Sequence, residues 1–168
     1  MLTRDVLRQP KLQFVPHFGY VSLFPFIMKL IPSDSPILRK QLELIHNEDL
    51  LWSDHGLRSL ATTSSFYMKH NTEHDPPYWR GSVWINLNYL ILSALHHYSQ
   101  DEGPYSSTAN LIYTELRENL IRNIVKRFYE SGYLWEQYDN MANGKGKGAH
   151  PFTGWTSLVL LIMGENYV

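Results

Sequence analysis

Two acidic clusters set among aromatics carry most of the chemistry in this chain. The first is Glu73-His74-Asp75-Pro76-Pro77-Tyr78-Trp79-Arg80-Gly81-Ser82-Val83-Trp84. Its charges would need partners if buried, and its aromatic rings are costly to leave in water. A loop holding carboxylates beside aromatic faces suits a sugar: the rings stack on apolar pyranose faces and the charged groups bond hydroxyls. Tyr78, Trp79, Arg80, Glu73 and Asp75 are the candidate contacts. Arg80 suits a carboxylate or a sugar hydroxyl, with a structural salt bridge to Glu73 or Asp75 as the equal alternative. The second cluster is Trp135-Glu136-Gln137-Tyr138-Asp139. A carboxylate between Trp and Tyr is a candidate general base, its proton affinity set by its neighbours. The alternative is an exposed strand Glu paired across a hairpin. Trp79 and Trp135 sit in polar loops and are the better stacking candidates, whereas Trp84 and Trp155 begin apolar stretches and also suit a core.

Other motifs are weaker. His70-Asn71-Thr72-Glu73-His74 fits the H-x-x-E-H zinc pattern only in form, since that pattern needs a helix to bring both His onto one face. Asp75-Pro76-Pro77 follows at once, so a solvated surface loop is the better reading and no metal or other cofactor is expected. Gly144-Lys145-Gly146-Lys147-Gly148 lacks the Lys-Ser/Thr ending of a phosphate loop and reads as a basic hairpin tip. The 168 residues carry a net charge of −1 and no cysteine. There is no basic excess for a nucleic-acid surface and no thiolate for a disulfide or metal site. The start of the chain lacks the apolar run of a signal peptide. The apolar stretch Phe18 to Ile31 is interrupted by Pro25 and Lys29 and is too short to span a bilayer. The chain as written reads as soluble, a reading that leaves room for it to be part of a longer, targeted protein.

The elements that must position these residues are mostly helical. A buried helix, bent at Pro25, is expected from Gly19 to Ile31. Ser35 as N-cap and Pro36 at the first position begin a helix running to about Asn47. Leu50 to Gly81 has no periodicity, and a loop of that length is usually functional or mobile. Trp84 to His97 reads as a buried helix, and Ser107 to Glu130 as an amphipathic one with Leu111, Ile112, Leu116, Leu120, Ile124 and Phe128 inward. Gly132 to Asp139 begins a short hairpin with its turn at Asn143 to Gly148. Trp155 to Met163 closes as an apolar helix. Apolar helices therefore alternate with amphipathic ones, and an aromatic, Gly-containing segment precedes each apolar helix (17–20, 77–84, 151–155). Antiparallel helix pairs would put those segments on one rim. The pattern is that of two concentric helix layers, with too few helices to close a ring: an all-α arc.

Glu73 to Trp84, Leu134 to Asp139, His150 to Leu161, Gly19 to Pro25 and His55 to Leu60 together resemble the eukaryotic processing α-glucosidases of glycoside hydrolase family 63, over almost the whole chain. The resemblance implies a partial (α/α)6 toroid, with residues 1–168 as the C-terminal part of the catalytic domain. By the same resemblance, the N-terminal β-domain and the membrane anchor of full-length members are expected to lie outside it. It implies inverting removal of the terminal α-1,2-linked glucose from the Glc3Man9GlcNAc2 N-glycan precursor, in the lumen of the endoplasmic reticulum. It also assigns Glu136 as general base. The family's acid lies in a Ser-Gly-Leu-Asp-Asp-Tyr-Pro-Arg-like motif that this chain lacks. The expectation is a polypeptide inactive alone, with a non-catalytic carbohydrate-binding or interaction piece as the competing reading.

Overall fold

The computed structural model describes residue 9 and residues 11–167. Among these, five α-helices and one two-stranded sheet account for the regular structure. A 3-10 turn, Tyr20–Leu23, runs into α1 (Phe24–Ile27). Then come α2 (Pro36–Ile45), α3 (Ile85–Gln100), α4 (Ser106–Ser131), β1 (Gln137–Asp139), β2 (Lys145–Lys147), a second 3-10 turn (Trp155–Leu158) and α5 (Val159–Met163). The expected helix over Gly19 to Ile31 is much shorter than its apolar pattern suggests. Pro25 sits in the first turn of α1, where its missing N–H costs nothing. The helix then stops at Met28, and Lys29 turns left-handed at φ 58°. Ser35 does cap α2, its hydroxyl accepting from the Ile37 amide at 3.2 Å. That helix ends at Ile45, short of Asn47.

The antiparallel pair α3 and α4 forms the body of the fold. α1 and α5 pack on α3, α5 also on α4, and α2 on α4. Ile91, Leu92, Ala94 and Leu95 of α3 face Ile112, Leu116, Leu120 and Ile124 of α4 among the buried residues. Leu111 and Phe128, expected inward, are instead exposed. α4 ends at Gly132, whose φ of 77° closes the last turn as its N–H donates a hydrogen bond to the Phe128 carbonyl at 2.7 Å. No helix among the described residues is long and apolar enough to cross a membrane.

The segments entering α1, α3 and α5 meet at one end of this body. Isolated backbone bridges join Gly19 to Leu60, Arg58 to Val83, and Val83 to Tyr138. The Phe152 amide then bonds the Leu134 carbonyl at 2.8 Å. The order of these links makes a continuous rim from the first helix to the last. Asn88, fully buried on α3, ties that rim to the body. It accepts from the Leu57 amide at 2.8 Å and donates to the Tyr20 hydroxyl at 2.9 Å and the Trp84 carbonyl at 2.8 Å.

Candidate active site

Glu136 lies on the rim immediately before β1, half-buried. Its backbone is held on both sides: its amide donates to the Ala149 carbonyl at 3.0 Å, and its carbonyl accepts from the Trp155 indole at 2.7 Å. The Thr156 hydroxyl bonds the neighbouring Trp135 carbonyl at 2.6 Å. The side chain is held as well. Its Oε1 accepts from the Tyr78 hydroxyl, and its Oε2 from the Ala149 amide at 3.0 Å. Each oxygen thus has one fixed donor. An ionised carboxylate has about four lone-pair sites, so acceptor capacity remains for a water molecule. Gly148 makes this cradle possible: with φ at 79°, a β-carbon there would collide with Glu136 Oε2. Tyr78 responds to its partner. The bond to the carboxylate, helped by burial and the negative charge, pushes its phenol up to about 12, so it remains a donor across the neutral range.

An aromatic cluster stands beside this carboxylate. Trp84 is fully buried as the residue before α3. Trp79 stacks on it with centroids 3.9 Å apart and planes 14° apart, while Tyr78 meets it edge-on at 4.6 Å. Trp155 lies 5.7 Å from Trp84 and 4.7 Å from Phe152. One face of Trp79 is therefore committed to the fold, yet the residue remains 46% exposed. It lines a largely apolar cleft of about 630 Å³ with Tyr20, Val21, Phe24, Leu60 and Leu87. Glu136 is not among the residues lining that cleft.

The structure thus brings Tyr78, Trp79, Trp155 and Glu136 together with Trp84. It places the other sequence candidates differently. The Arg80 guanidinium is engaged by its own loop, donating to the carbonyls of Lys69 at 3.1 Å and His70 at 3.4 Å and lying 5.3 Å from the Phe66 ring. Among the described residues no ion pair joins it to Glu73 or Asp75, which sit exposed in the turn that the Asn71–Asp75 backbone bond closes. His70, Glu73 and His74 follow this loop and no helix. No group of three metal-ligating side chains occurs among the described residues. Trp135 turns toward α4, its indole donating to Ser131 at 3.1 Å and its ring resting 3.9 Å from His150. Sequence reasoning missed the cradle: Gly148 read only as part of a basic turn, although the glycine spacing there did mark a tight backbone approach.

Comparison with known proteins places the chain in a family. Residues 1–165 match the model of the glycosyl hydrolase family 63 C-terminal domain. The chain is 62% identical over 166 residues to mannosyl-oligosaccharide glucosidase GCS1 of Arabidopsis thaliana, covering 99% of this chain and 19% of that protein. It is 58% identical to alpha-glucosidase 2 of the same plant, with 99% and 21% covered. It is 42% identical to mannosyl-oligosaccharide glucosidase of Saccharomyces cerevisiae, with 91% and 18% covered. The chain thus spans about a fifth of the length of these relatives. Among solved structures, GH63 mannosylglycerate hydrolase from Thermus thermophilus, in complex with glucose, superposes with a TM-score of 0.56 at 20% identity. That match covers 89% of this chain and 30% of the hydrolase. With the match running from the first residue through the Glu136 rim to α5, the chain belongs to glycoside hydrolase family 63, within its C-terminal domain.

Proposed function

We propose that this chain supplies the general-base half of an inverting α-glucosidase site, with Glu136 as the base. In the reaction, Glu136 takes a proton from water as the water oxygen bonds the anomeric carbon. The glycosidic bond breaks toward the leaving oxygen, which an acid outside this chain protonates. The observation that carries the reading is the doubly held Glu136 carboxylate beside the Tyr78–Trp79–Trp84–Trp155 cluster. Trp79 offers its free face to the sugar, Tyr78 and Trp155 border the reacting end, and Trp135 supports the strand. Arg80, Glu73 and Asp75 contribute through the shape and outer edge of the Tyr78 loop. The substrate class is the glucosylated N-glycan precursor Glc3Man9GlcNAc2, trimmed at its terminal α-1,2-linked glucose in the endoplasmic reticulum. The names of the Arabidopsis and yeast relatives support that choice. The helices form an arc of an (α/α)6 toroid, α1, α3 and α5 inside and α2 and α4 outside.

The test joins this chain to the remainder of such a hydrolase and measures glucose release from a glucosylated oligosaccharide. The 168-residue chain alone should release none. The joined protein should be active, and Glu136→Gln should lower its kcat by roughly 10²–10⁴-fold, the usual contribution of acid–base catalysis. Activity that survives Glu136→Gln excludes the assignment. The exposed ring of Trp79 over an apolar cleft also favours sugar binding in its own right. On that second reading, oligosaccharide binding persists in Glu136→Gln while neither the chain alone nor the joined protein hydrolyses anything.

A further inference from the structure

Away from the Trp79 cleft, a second pocket opens where α4 passes beneath the tip of the β1–β2 hairpin. Its volume is about 200 Å³, and Asp54, His55, Arg122, Asn123, Lys126, Arg127 and Asn143 line it. Three of these side chains are cationic. Arg127 is consumed locally: it pairs with Glu130 at 2.5 Å and donates to the carbonyls of Asn143 and, at 3.1 Å, Gly144. Arg122 donates to Asn119 Oδ1, which orients it along the helix. Among the described residues neither Arg122 nor Lys126 has a carboxylate partner. Asp54 is the acid lining the pocket, so positive charge is left in excess.

Beneath these cations, Asn123 completes the lining from its buried side. It is 4% exposed, and its side-chain Nδ2 is closed off from solvent with no hydrogen-bond partner among the described residues. A buried amide left in that state is costly. His55 faces the same space. Burial, and the charges of Arg127, Arg122 and Lys126, hold its imidazole below its ordinary value against the opposing pull of Asp54. All three cations therefore act on one point in the pocket. Helical spacing brings the two wall cations together, since Lys126 lies one turn beyond Arg122 on the exposed face of α4.

We propose that this pocket binds a tetrahedral oxyanion, a phosphate or sulfate group. Arg122 and Lys126 supply the charge at the wall, and Asn123 lies beneath them. The chemistry serves a free ion and a phosphomonoester alike. No part of the assignment depends on Glu136.

The experiment follows the Asn123 side-chain amide and the His55 ring by NMR in the 168-residue chain. Inorganic phosphate is titrated in at constant ionic strength, so that general screening does not change. Saturable shifts at Asn123 are expected, with the His55 titration moving upward because an anion favours the imidazolium. The paired variant Arg122→Gln, Lys126→Gln, both at exposed positions, should weaken phosphate by about tenfold or more, the scale of losing charged hydrogen bonds. A parallel titration with glucose 6-phosphate separates the sources. Binding of both means the pocket accepts an esterified phosphate, and binding of inorganic phosphate alone means a free ion. If neither shifts Asn123 saturably, or if the paired variant binds as well as the parent, the proposal is overturned.

Discussion

Tyr78 and Glu136 lie 58 residues apart in the chain and share a hydrogen bond across the rim. The phenol is raised, so its neutral form is the one the fold favours. That contribution is complete below the ordinary tyrosine value of about 10 and is lost as pH climbs through about 12. Site-specific NMR of the Tyr78 ring should therefore show ionisation near 12, and Glu136→Gln should return it toward the ordinary value. A Tyr78 that titrates normally in the parent chain means the bond is absent. Gly148→Ala tests the other half of the cradle. A left-handed alanine costs about 1–2 kcal/mol, and its β-carbon meets the carboxylate besides. The expected result is a fall of that size or more in denaturant stability, together with loss of the Ala149 amide's protection from exchange. Unchanged protection would show that Glu136 is not held there. Glu136 stood out in the sequence as a carboxylate between Trp and Tyr, with a general base and a strand Glu paired across a hairpin both open, and the resemblance alone assigned the base role. Its partners were not legible. A contact across 58 residues leaves no periodic trace, and Arg80, read as a ligand group or an ion pair, bonds carbonyls of its own loop instead.

The elements owe their positions to a few polar residues more than to helix propensity. α1 is only Phe24–Ile27, far too short to stand alone. It is fixed because Tyr20, just before it, donates to the Leu57 carbonyl at 2.5 Å and accepts from Asn88. Asn88→Leu keeps the volume but strands the buried Leu57 amide, at about 1–3 kcal/mol, and takes one donor from the Tyr20 hydroxyl, which keeps the Leu57 carbonyl and the Trp84 amide. Ser35→Ala removes only an exposed cap at the start of α2, worth about 1 kcal/mol. Urea unfolding should rank the two, with Asn88→Leu the more destabilising; equal losses would mean that Asn88 does not anchor the rim. The cap was legible, since Ser-Pro before an apolar stripe states both N-cap and first position. The anchor was not. Asn88 sits in a run of apolar residues where a polar side chain breaks the pattern without naming its partners. The overlong reading of the first helix has the same cause: apolar density counted residues but could not see the turn at Lys29.

At the scale of the molecule, the helices expected to be buried on most sides keep an uncovered flank. Val21 is 82% exposed, Leu160 69% and Phe24 46%, and Val21 and Phe24 border the same cleft as Trp79. Apolar side chains gathered this way mark a surface that something covers, and the relatives are about five times as long as this chain. The alternation of apolar with amphipathic helices was legible because each element's own face decides it. An exposed surface on the apolar helices follows from the same reading, but which residues form it was not legible, because apolar residues on the covered and uncovered sides look alike in sequence. If the flank is an internal surface of a larger hydrolase domain, the 168-residue chain should self-associate and bind a hydrophobic dye. The pair Val21→Gln, Phe24→Gln should lower both without lowering the urea midpoint by more than about 0.5 kcal/mol equivalent, since substitutions at exposed positions seldom cost more. The same pair introduced into a joined, full-length hydrolase should do the reverse, destabilising it by burying amides without partners. Size-exclusion chromatography and dye titration of the four proteins separate the cases. A parent chain that is monomeric and dye-silent, with a full-length protein indifferent to the pair, would mean that this surface is an ordinary exterior and the arc an independent unit.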